Sequence, residues 1–376
     1  MSHKIAFLGG SLDSAVGRAH KSAIEIDKKF SLVAGCFSRN MEINLKTGIE
    51  YGVQVDRIYT TFFDLINAEK DNLDAIVILT PTDTHYNDII ACVEAKIPVI
   101  CEKSMVTSSV ESRKIHDLCE TTNSFLAVTY NYTGYPMIRE LQNFISSGKL
   151  GEIKNICIEM PQEGFLKVDK MGKPIVPQNW RLKDGNIPTL SLDLGVHLHS
   201  IINFLIGKKP LEVVASVNTF GNFKSIIDDI SCIVNYSDGV NVNMWFSKSA
   251  LGYRNGLKVR VFGETGAAEW IQENPEYLFF SGNNGTKTIL DRSNSFVEIA
   301  SESRYSRFKP GHPAGFIEAF ANYYYDISES LDKFKLGERE ILNQYTFGTN
   351  IAHEGMQLLE AITRSKENKK WESVYE

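Results

Sequence analysis

The sequence predicts an α/β chain in two parts: a parallel, doubly wound sheet first, then an α/β part built on a larger, mainly antiparallel sheet. Three observations carry this. Five short apolar runs alternate with helical patterns over the first third. After residue 128 the texture changes, and strand-like runs follow one another with few helices between them. A strong hairpin signal, Ser237-Asp238-Gly239, joins two of those later strands. The boundary falls at 128/129, giving parts 1–128 and 129–376, and a chain of 376 residues is long enough for two cores.

Composition narrows the classes. A hydrophobic content of 43% with 23% charged residues is that of a globular protein with an ordinary core. The net charge of −6 argues against nucleic acid or an anionic membrane as the main partner. No apolar run reaches the ~18–20 residues that cross a bilayer. The chain enters a strand-like run, Lys4-Ile5-Ala6-Phe7-Leu8, within a few residues, which leaves no room for a signal peptide. Cys36, Cys92, Cys101, Cys119, Cys157 and Cys232 are scattered without a C-x-x-C pair. They read as reduced thiols, so a cytoplasmic protein is expected.

In the first part, the run Ile5–Leu8 ends in Gly9-Gly10, followed by Ser11, then Gly17, and a helical pattern through Ala23, Ile24 and Ile26. Strand, glycine turn and helix form the context of a dinucleotide-binding fingerprint, where backbone approaches a pyrophosphate at a helix N-terminus. The spacing is not G-x-G-x-x-G, since about four extra residues precede Gly17, and an ordinary βα turn fits as well. The second strand, Phe30–Phe37, ends at Ser38-Arg39-Asn40. An acidic residue there would hold the ribose hydroxyls of NAD; Arg39 instead suits a 2′-phosphate, which favours NADP over NAD. Asp74–Leu79 is apolar throughout, like a central parallel strand, and ends at Thr80-Pro81. A helix from about Thr84 to Ala95 leads to Pro98–Cys101, which ends at Glu102-Lys103-Ser104. A further helix, about Ser108 to Thr122, precedes the strand Phe125–Val128. The glycine turn, Ser38-Arg39, Thr80-Pro81 and Glu102-Lys103 all stand at strand C-termini, so they should line one crevice.

The second part begins with a polar, aromatic stretch, Asn131 to Met137, and a helix from about Met137 to Ser147 stopped by Gly148. Strands are predicted at Lys154–Met160, Leu211–Phe220, Asp229–Tyr236, Val240–Phe246, Lys258–Phe262, Ala267–Ile271 and Tyr277–Phe280. Val240, Val242, Met244 and Phe246 alternate with polar or large residues, as in a sheet with two unlike faces. A sheet face left open suggests a homodimer or homotetramer. Residues 165–186, rich in Lys, Gly and Pro, read as a long loop over a site. Late helices at about Pro313–Ser330 and Tyr345–Arg364 should pack behind the sheet or on the first part.

One helix stands out chemically. Leu194, Leu198, Ile201, Ile202 and Leu205 recur at helical spacing up to the stop at Gly207. Asp193, His197 and Ser200 fall at i, i+4 and i+7 and share a face. A carboxylate one turn from an imidazole can orient it, and such an imidazole can move protons. A histidine satisfied at a helix start fits the same residues. His197 and His199 diverge at i, i+2, which disfavours a metal site with Asp193, and no metal is expected.

In their order along the chain, these features resemble the glucose–fructose oxidoreductase / inositol dehydrogenase / rhizopine catabolism (Gfo/Idh/MocA) family over essentially the whole length. The matching set is the glycine turn with Gly17-x-x-His20, Thr80-Pro81 with His85, Cys101-Glu102-Lys103, Gly148-Lys149-Leu150-Gly151-Glu152-Ile153, Trp180-Arg181, Asp193-x-Gly195-x-His197, and His312-Pro313-x-Gly315-Phe316 with Glu318-Ala319-Phe320. The resemblance implies a Rossmann domain followed by an open-faced α/β domain. It implies hydride transfer between a nicotinamide and a hydroxyl or carbonyl carbon of a sugar, inositol or nucleotide-sugar.

By the same resemblance Lys103 is the catalytic lysine, and Asp193 and His197 are the proton-handling pair. Gly9, Gly10, Ser11, Gly17, Ser38, Arg39, Thr80, Pro81, His85, Glu102 and Lys103 are the candidates for NADP or NAD. Tyr132, Tyr135, Trp180, Arg181 and Ser200 are candidates for a polyhydroxylated substrate, through aromatic faces and hydrogen bonds; ordinary packing fits the first four as well. Two residues depart from the family: Ser104 stands where it has Pro, and Ser200 where it often has Asp. A trans Lys103–Ser104 bond is therefore expected, because a cis bond to a non-proline residue costs about 3 kcal/mol. The same departures leave open a second class of function, a cofactor-binding regulator or scaffold of the same fold without turnover.

Overall fold

The computed structural model describes residues 2–338 and 341–375. The chain forms two compact units, Met1–Gly134 with Phe316–His353, and Tyr135–Gly315 with Glu354–Glu376. The first break lies six residues past the sequence boundary at 128, and a late segment, 316–353, belongs with the first unit.

The first unit runs β1 (His3–Gly9), α1 (Ala15–Asp27), β2 (Phe30–Cys36), α2 (Met41–Glu50), α3 (Phe62–Glu69), β3 (Ala75–Leu79), α4 (His85–Glu94), β4 (Val99–Cys101), α5 (Ser109–Thr122) and β5 (Leu126–Val128). The strands are parallel, in the order β2-β1-β3-β4-β5. The order reverses at β1, so β1 and β3 flank the switch point where such sheets take ligands. Both faces are covered by helices, which is why every residue of β3 is buried. Each buried Val, Ile or Leu there contributes about 1.5–3 kcal/mol. Helix starts are fixed by side-chain caps: Ser14 accepts from Gly17 N, Asn40 from Ile43 N, Thr61 from Asp64 N and Ser108 from Glu111 N.

The second unit contains α6 (Pro136–Ser146), β6 (Ile153–Pro161), α7 (Val196–Ile206), β7 (Pro210–Asn218), β8 (Asp229–Tyr236), β9 (Asn241–Ser247), β10 (Lys258–Gly263), β11 (Gly266–Ile271), β12 (Leu278–Gly282) and β13 (Lys287–Leu290). With the short C-terminal β14 (Glu372–Ser373), they form a nine-stranded sheet, β13-β12-β11-β10-β6-β9-β8-β7-β14. Its pairs are antiparallel except β6 with β9. The hairpin between β8 and β9 places Asp238 and Gly239 at positive φ, as the sequence signal requires. One face carries Ile156, Ile158, Val242, Met244, Phe246, Val259, Val261 and Trp270, all buried. Its pleat follows the period of two read from the sequence.

The last helices are α8 (Phe316–Lys335) and α9 (Thr349–Asn368). Of the two places open to it, α8 takes the first unit, where it packs on α1. Gly134 lets the 131–134 turn meet α8, since a Cβ there would lie 1.9 Å from Ala319 O. Tyr323 Oη donates to Val128 O (2.6 Å) and accepts from Phe347 N (3.1 Å), tying this late segment to the end of β5.

Candidate active site

In the first unit the glycine turn is built by exclusion of side chains. Gly9 and Gly10 sit at φ +83° and +73°, a region L side chains rarely adopt. A Cβ on Gly10 would lie 2.5 Å from Leu79 Cδ1, and one on Gly17 only 2.1 Å from Gly10 O. Backbone alone therefore fits between the end of β1 and the start of α1, which is the cradle a pyrophosphate needs. Ser11 stands on this turn, its carbonyl accepting from Ser14 N (2.8 Å). Ser38 and Arg39 follow β2; Arg39 is exposed and Ser38 Oγ accepts from Asn40 N (3.1 Å). Thr80, at the end of β3, donates to Asp88 Oδ2 (2.7 Å), and Pro81 beside it is exposed.

His85 is a packed residue. It is 1% exposed, with Nδ1 facing Ser104 O (2.9 Å) and Nε2 facing Thr80 O (2.8 Å). Both ring nitrogens face carbonyls at the ends of β3 and β4, so the ring bridges the two strand ends. The Lys103–Ser104 peptide is cis, where trans was expected. That expectation rested on the general rarity of such bonds; in this fold Ser104 is buried and its carbonyl is fixed by His85.

Glu102 is buried. It accepts from Thr129 Oγ1 (2.6 Å) and lies 3.5 Å from His20 Nε2, while His20 Nδ1 meets Tyr324 Oη at 2.5 Å. Burial pushes the Glu102 carboxyl up. Hydrogen bonding and charge from His20, the Lys103 ammonium and the Thr129 hydroxyl outweigh it, and the pKa ends below the ordinary value. Lys103 follows at once, half-buried.

In the second unit the Asp193–His197 stretch departs from the expected single helix. Residues Ser191–Gly195 form a π-helical turn, and α7 starts only at Val196. The wider turn changes the direction of Asp193 relative to an i, i+4 ladder, a local irregularity common at functional sites. Gly195 lets the turn pack closely: a Cβ would lie 2.8 Å from Leu359 Cδ2 and 3.3 Å from the Phe246 ring. Asp193 and His197 are both buried. The Asp193 carboxylate pairs with Lys248 Nζ and, at 3.3 Å, with Arg181 Nη2. His199 turns away from His197 and meets Glu354 Oε1 at 3.1 Å. Among the described residues no group of three His, Cys, Asp or Glu side chains is arranged to hold a metal ion.

The substrate candidates divide. Arg181 reaches Asp193, and its guanidinium lies 4.7 Å from the Trp180 ring; Trp180 is exposed and donates to Gln178 Oε1 (2.9 Å). Ser200 is buried and donates back to His197 O (2.9 Å), so its hydroxyl serves the helix. Tyr135 is core: its hydroxyl accepts from Gln272 Nε2 and its ring packs on Trp270. Tyr132 belongs to the first unit, where its ring packs on Phe316. Lys248 escaped the sequence reading. Its signal was there: Val242, Met244 and Phe246 point inward at period two, and Lys248 continues that phase as a charge at an apolar position.

Two family models match the chain. "Oxidoreductase family, NAD-binding Rossmann fold" covers residues 4–130, and "GFO/IDH/MocA C-terminal domain" covers residues 138–269. The chain belongs to the Gfo/Idh/MocA oxidoreductase family. Within it, the chain is 27% identical over 369 residues to an uncharacterized oxidoreductase, YfiI, of Bacillus subtilis, covering 96% of this chain and 93% of that one. An inositol 2-dehydrogenase of Rhizobium meliloti is 24% identical over 280 residues, covering 72% of this chain and 77% of that one. Among solved structures, an inositol dehydrogenase homolog of Azotobacter vinelandii complexed with NADH and myo-inositol superimposes with a TM-score of 0.90. It is 26% identical, covering 99% of this chain and 98% of that one. This Gfo/Idh/MocA chain is thus an oxidoreductase with an NAD-binding Rossmann unit.

Proposed function

We propose that this oxidoreductase moves a hydride between NADP or NAD and a hydroxyl or carbonyl carbon of a sugar, inositol or nucleotide-sugar, with cyclic polyols the first class to test. The observation that carries the reading is one chain combining a side-chain-free glycine turn at a Rossmann switch point with a buried Asp193-to-His197 turn. The likeness to an inositol dehydrogenase homolog solved with myo-inositol supports the substrate class.

In this reading Gly9, Gly10, Ser11 and Gly17 hold the pyrophosphate, and Thr80 and Pro81 border it. Ser38 and Arg39 hold the adenosine ribose, with Arg39 on a 2′-phosphate when the cofactor is NADP. The bound nicotinamide supplies the hydride acceptor or donor. Lys103 polarises the reacting oxygen, His197 takes the alcohol proton or returns it, and Asp193 fixes a neighbouring hydroxyl and orients His197. Glu102 and His85 set the position of Lys103. Trp180 and Arg181 flank the substrate.

The nine-stranded sheet supports a homodimer or homotetramer: its outer face carries a groove of about 530 Å³ lined by Val214, Ile233, Trp245 and Arg260 among others. The six unpaired cysteines support a cytoplasmic place.

Thermal-shift titration with NADPH and NADH tests the cofactor half: the melting temperature should rise with ligand concentration. No shift at millimolar concentrations of either sinks the reading. NADPH should shift it more, and Arg39→Ala should narrow the difference. A panel of inositols, aldoses, ketoses and nucleotide-sugars then tests turnover. Cofactor binding without turnover on the whole panel would make the chain a cofactor-binding regulator.

A further inference from the structure

Lys248 stands just past the end of β9, and its backbone is held on both sides: its N–H donates to Asp228 O and its carbonyl accepts from Phe165 N, each at 2.8 Å. Its side chain is 5% exposed, lies 5.6 Å from the Phe165 ring centroid and ends on Asp193 Oδ2. Arg181 Nη2 reaches the same oxygen. A buried ammonium is costly unless paired. A buried lysine just past the strand end, aimed at the carboxylate four residues ahead of His197, is a costly way to fill a core.

We propose that Lys248 is a positioning residue of the reaction, which acts through Asp193: it keeps that carboxylate ionised and aimed, and thereby sets the charge that His197 feels while it exchanges a proton. The inference rests on the dehydrogenase reading above. Asp193 then meets the substrate as part of a neutralised pair rather than as a bare carboxylate. The imidazole stays neutral, and able to accept a proton, at a lower pH than it would beside an unpaired carboxylate.

Charged groups on the segments next to Lys248 have partners of their own, and on α7 itself His199 meets Glu354 at 3.1 Å. Asp228 accepts from Phe220 N and Gly221 N, Asp184 from Thr189 N and Ile227 N, and Asp229 from Trp245 Nε1. Glu163 pairs with Lys167 at 3.0 Å. Lys248 and Arg181 each bring a cation to the same Asp193 oxygen.

The test compares the intact wild-type protein with Lys248→Met and Lys248→Arg, in two measurements. In the first, the His197 imidazole is titrated by NMR, assigned by its loss in His197→Ala, which requires no substrate. Removing a positive charge favours the imidazolium, so Lys248→Met should raise the His197 midpoint by roughly one pH unit. Lys248→Arg should return it toward wild type. In the second, the acid limb of the kcat/KM profile should move to higher pH by the same amount. The fall should appear in kcat more than in KM, and Asp193→Asn combined with Lys248→Met should cost little more than Asp193→Asn alone.

A folded Lys248→Met protein with an unmoved His197 titration overturns the inference, as do losses that simply add in the double variant. Should Lys248→Met not fold, Arg181→Ala removes the second cation from the same oxygen and should move His197 the same way by less; no movement there overturns it equally. A panel without turnover counts against the dehydrogenase reading, whereas the NMR titration speaks to Lys248 alone.

Discussion

Each unit brings a histidine, a glutamate and a tyrosine into contact around a buried imidazole, and the two clusters are wired in opposite order. In the first unit the histidine is central: His20 meets Tyr324 Oη through Nδ1 and Glu102 through Nε2. In the second the glutamate is central: Glu354 takes His199 and Asn203 on Oε1 and the Tyr375 hydroxyl on Oε2. A central histidine, with two ring nitrogens, joins two groups and fixes Glu102, whose neighbour is Lys103. A central carboxylate has more acceptor sites and gathers three donors, two of them on α7, the helix that carries His197. The first cluster thus fixes one loop, and the second ties a whole helix to α9 and to the end of the chain. In both, burial raises the carboxyl, and the histidine together with the other hydrogen bonds and charges outweighs it, so Glu102 and Glu354 end below the ordinary carboxylate pKa.

The largest effect should come from the residues these clusters serve. Lys103→Ala and His197→Ala should each lower turnover by about 10²–10⁴-fold, the range for groups that handle a proton in the transition state. Nicotinamide affinity, read by fluorescence titration, should stay within a few-fold. Turnover that survives both substitutions would break the link between the clusters and the chemistry.

The two clusters were not equally legible in the sequence. Gly17-x-x-His20 and Glu102-Lys103 stand in recognisable order, and the parallel sheet that brings them together follows from strand and helix alternation. Tyr324 was hidden inside an ordinary amphipathic pattern. Nothing local announced Glu354 or Tyr375 as partners of His199, because 155 and 176 residues, by their numbers, separate them from it. Periodicity reports which face of an element is buried, and leaves the opposite element open. The π-turn at 191–195 is hidden for a related reason: its side chains have helical spacing, and the wider winding shows only in the backbone. Lys248 alone was readable and overlooked, as a charge that continues the inward phase of β9 one residue past its end.

Glycines sharpen the comparison at the next level. Gly17→Ala sets a Cβ 2.1 Å from the backbone oxygen of Gly10, which cannot swing away. It should cost about 2–3 kcal/mol of stability, the upper range for overpacking, and weaken cofactor binding at least tenfold. Gly355→Ala meets the ring of His199 at 2.9 Å, a side chain that can shift. It should cost about 1 kcal/mol and leave cofactor affinity alone. Equal losses of cofactor binding in the two variants would show that the second cluster supports the nucleotide turn, contrary to the division drawn above.

The last effect is read in acid. A carboxyl whose folded pKa is depressed contributes stability that is fully present above its unfolded pKa, about 4.3 for Glu, and is lost as pH falls through the folded value. Both Glu102 and Glu354 are of this kind, so both clusters should weaken in the same window, below about pH 4.3. Glu102→Gln and Glu354→Gln remove one carboxylate each. Either should cost about 1–2 kcal/mol near neutral pH, since a charge-assisted bond is lost while an amide still fills the space. In urea melts from pH 7 down to pH 3, each variant should lose stability less steeply than wild type, and the curves should converge toward the acid end. The Glu354 variant should converge with its cofactor affinity intact. The Glu102 variant should also show weaker turnover at pH 7, because its carboxylate fixes the loop that carries Lys103. A Glu354→Gln curve parallel to wild type down to pH 3 would mean that Glu354 is protonated already in the native protein, and that its three donors hold a neutral acid.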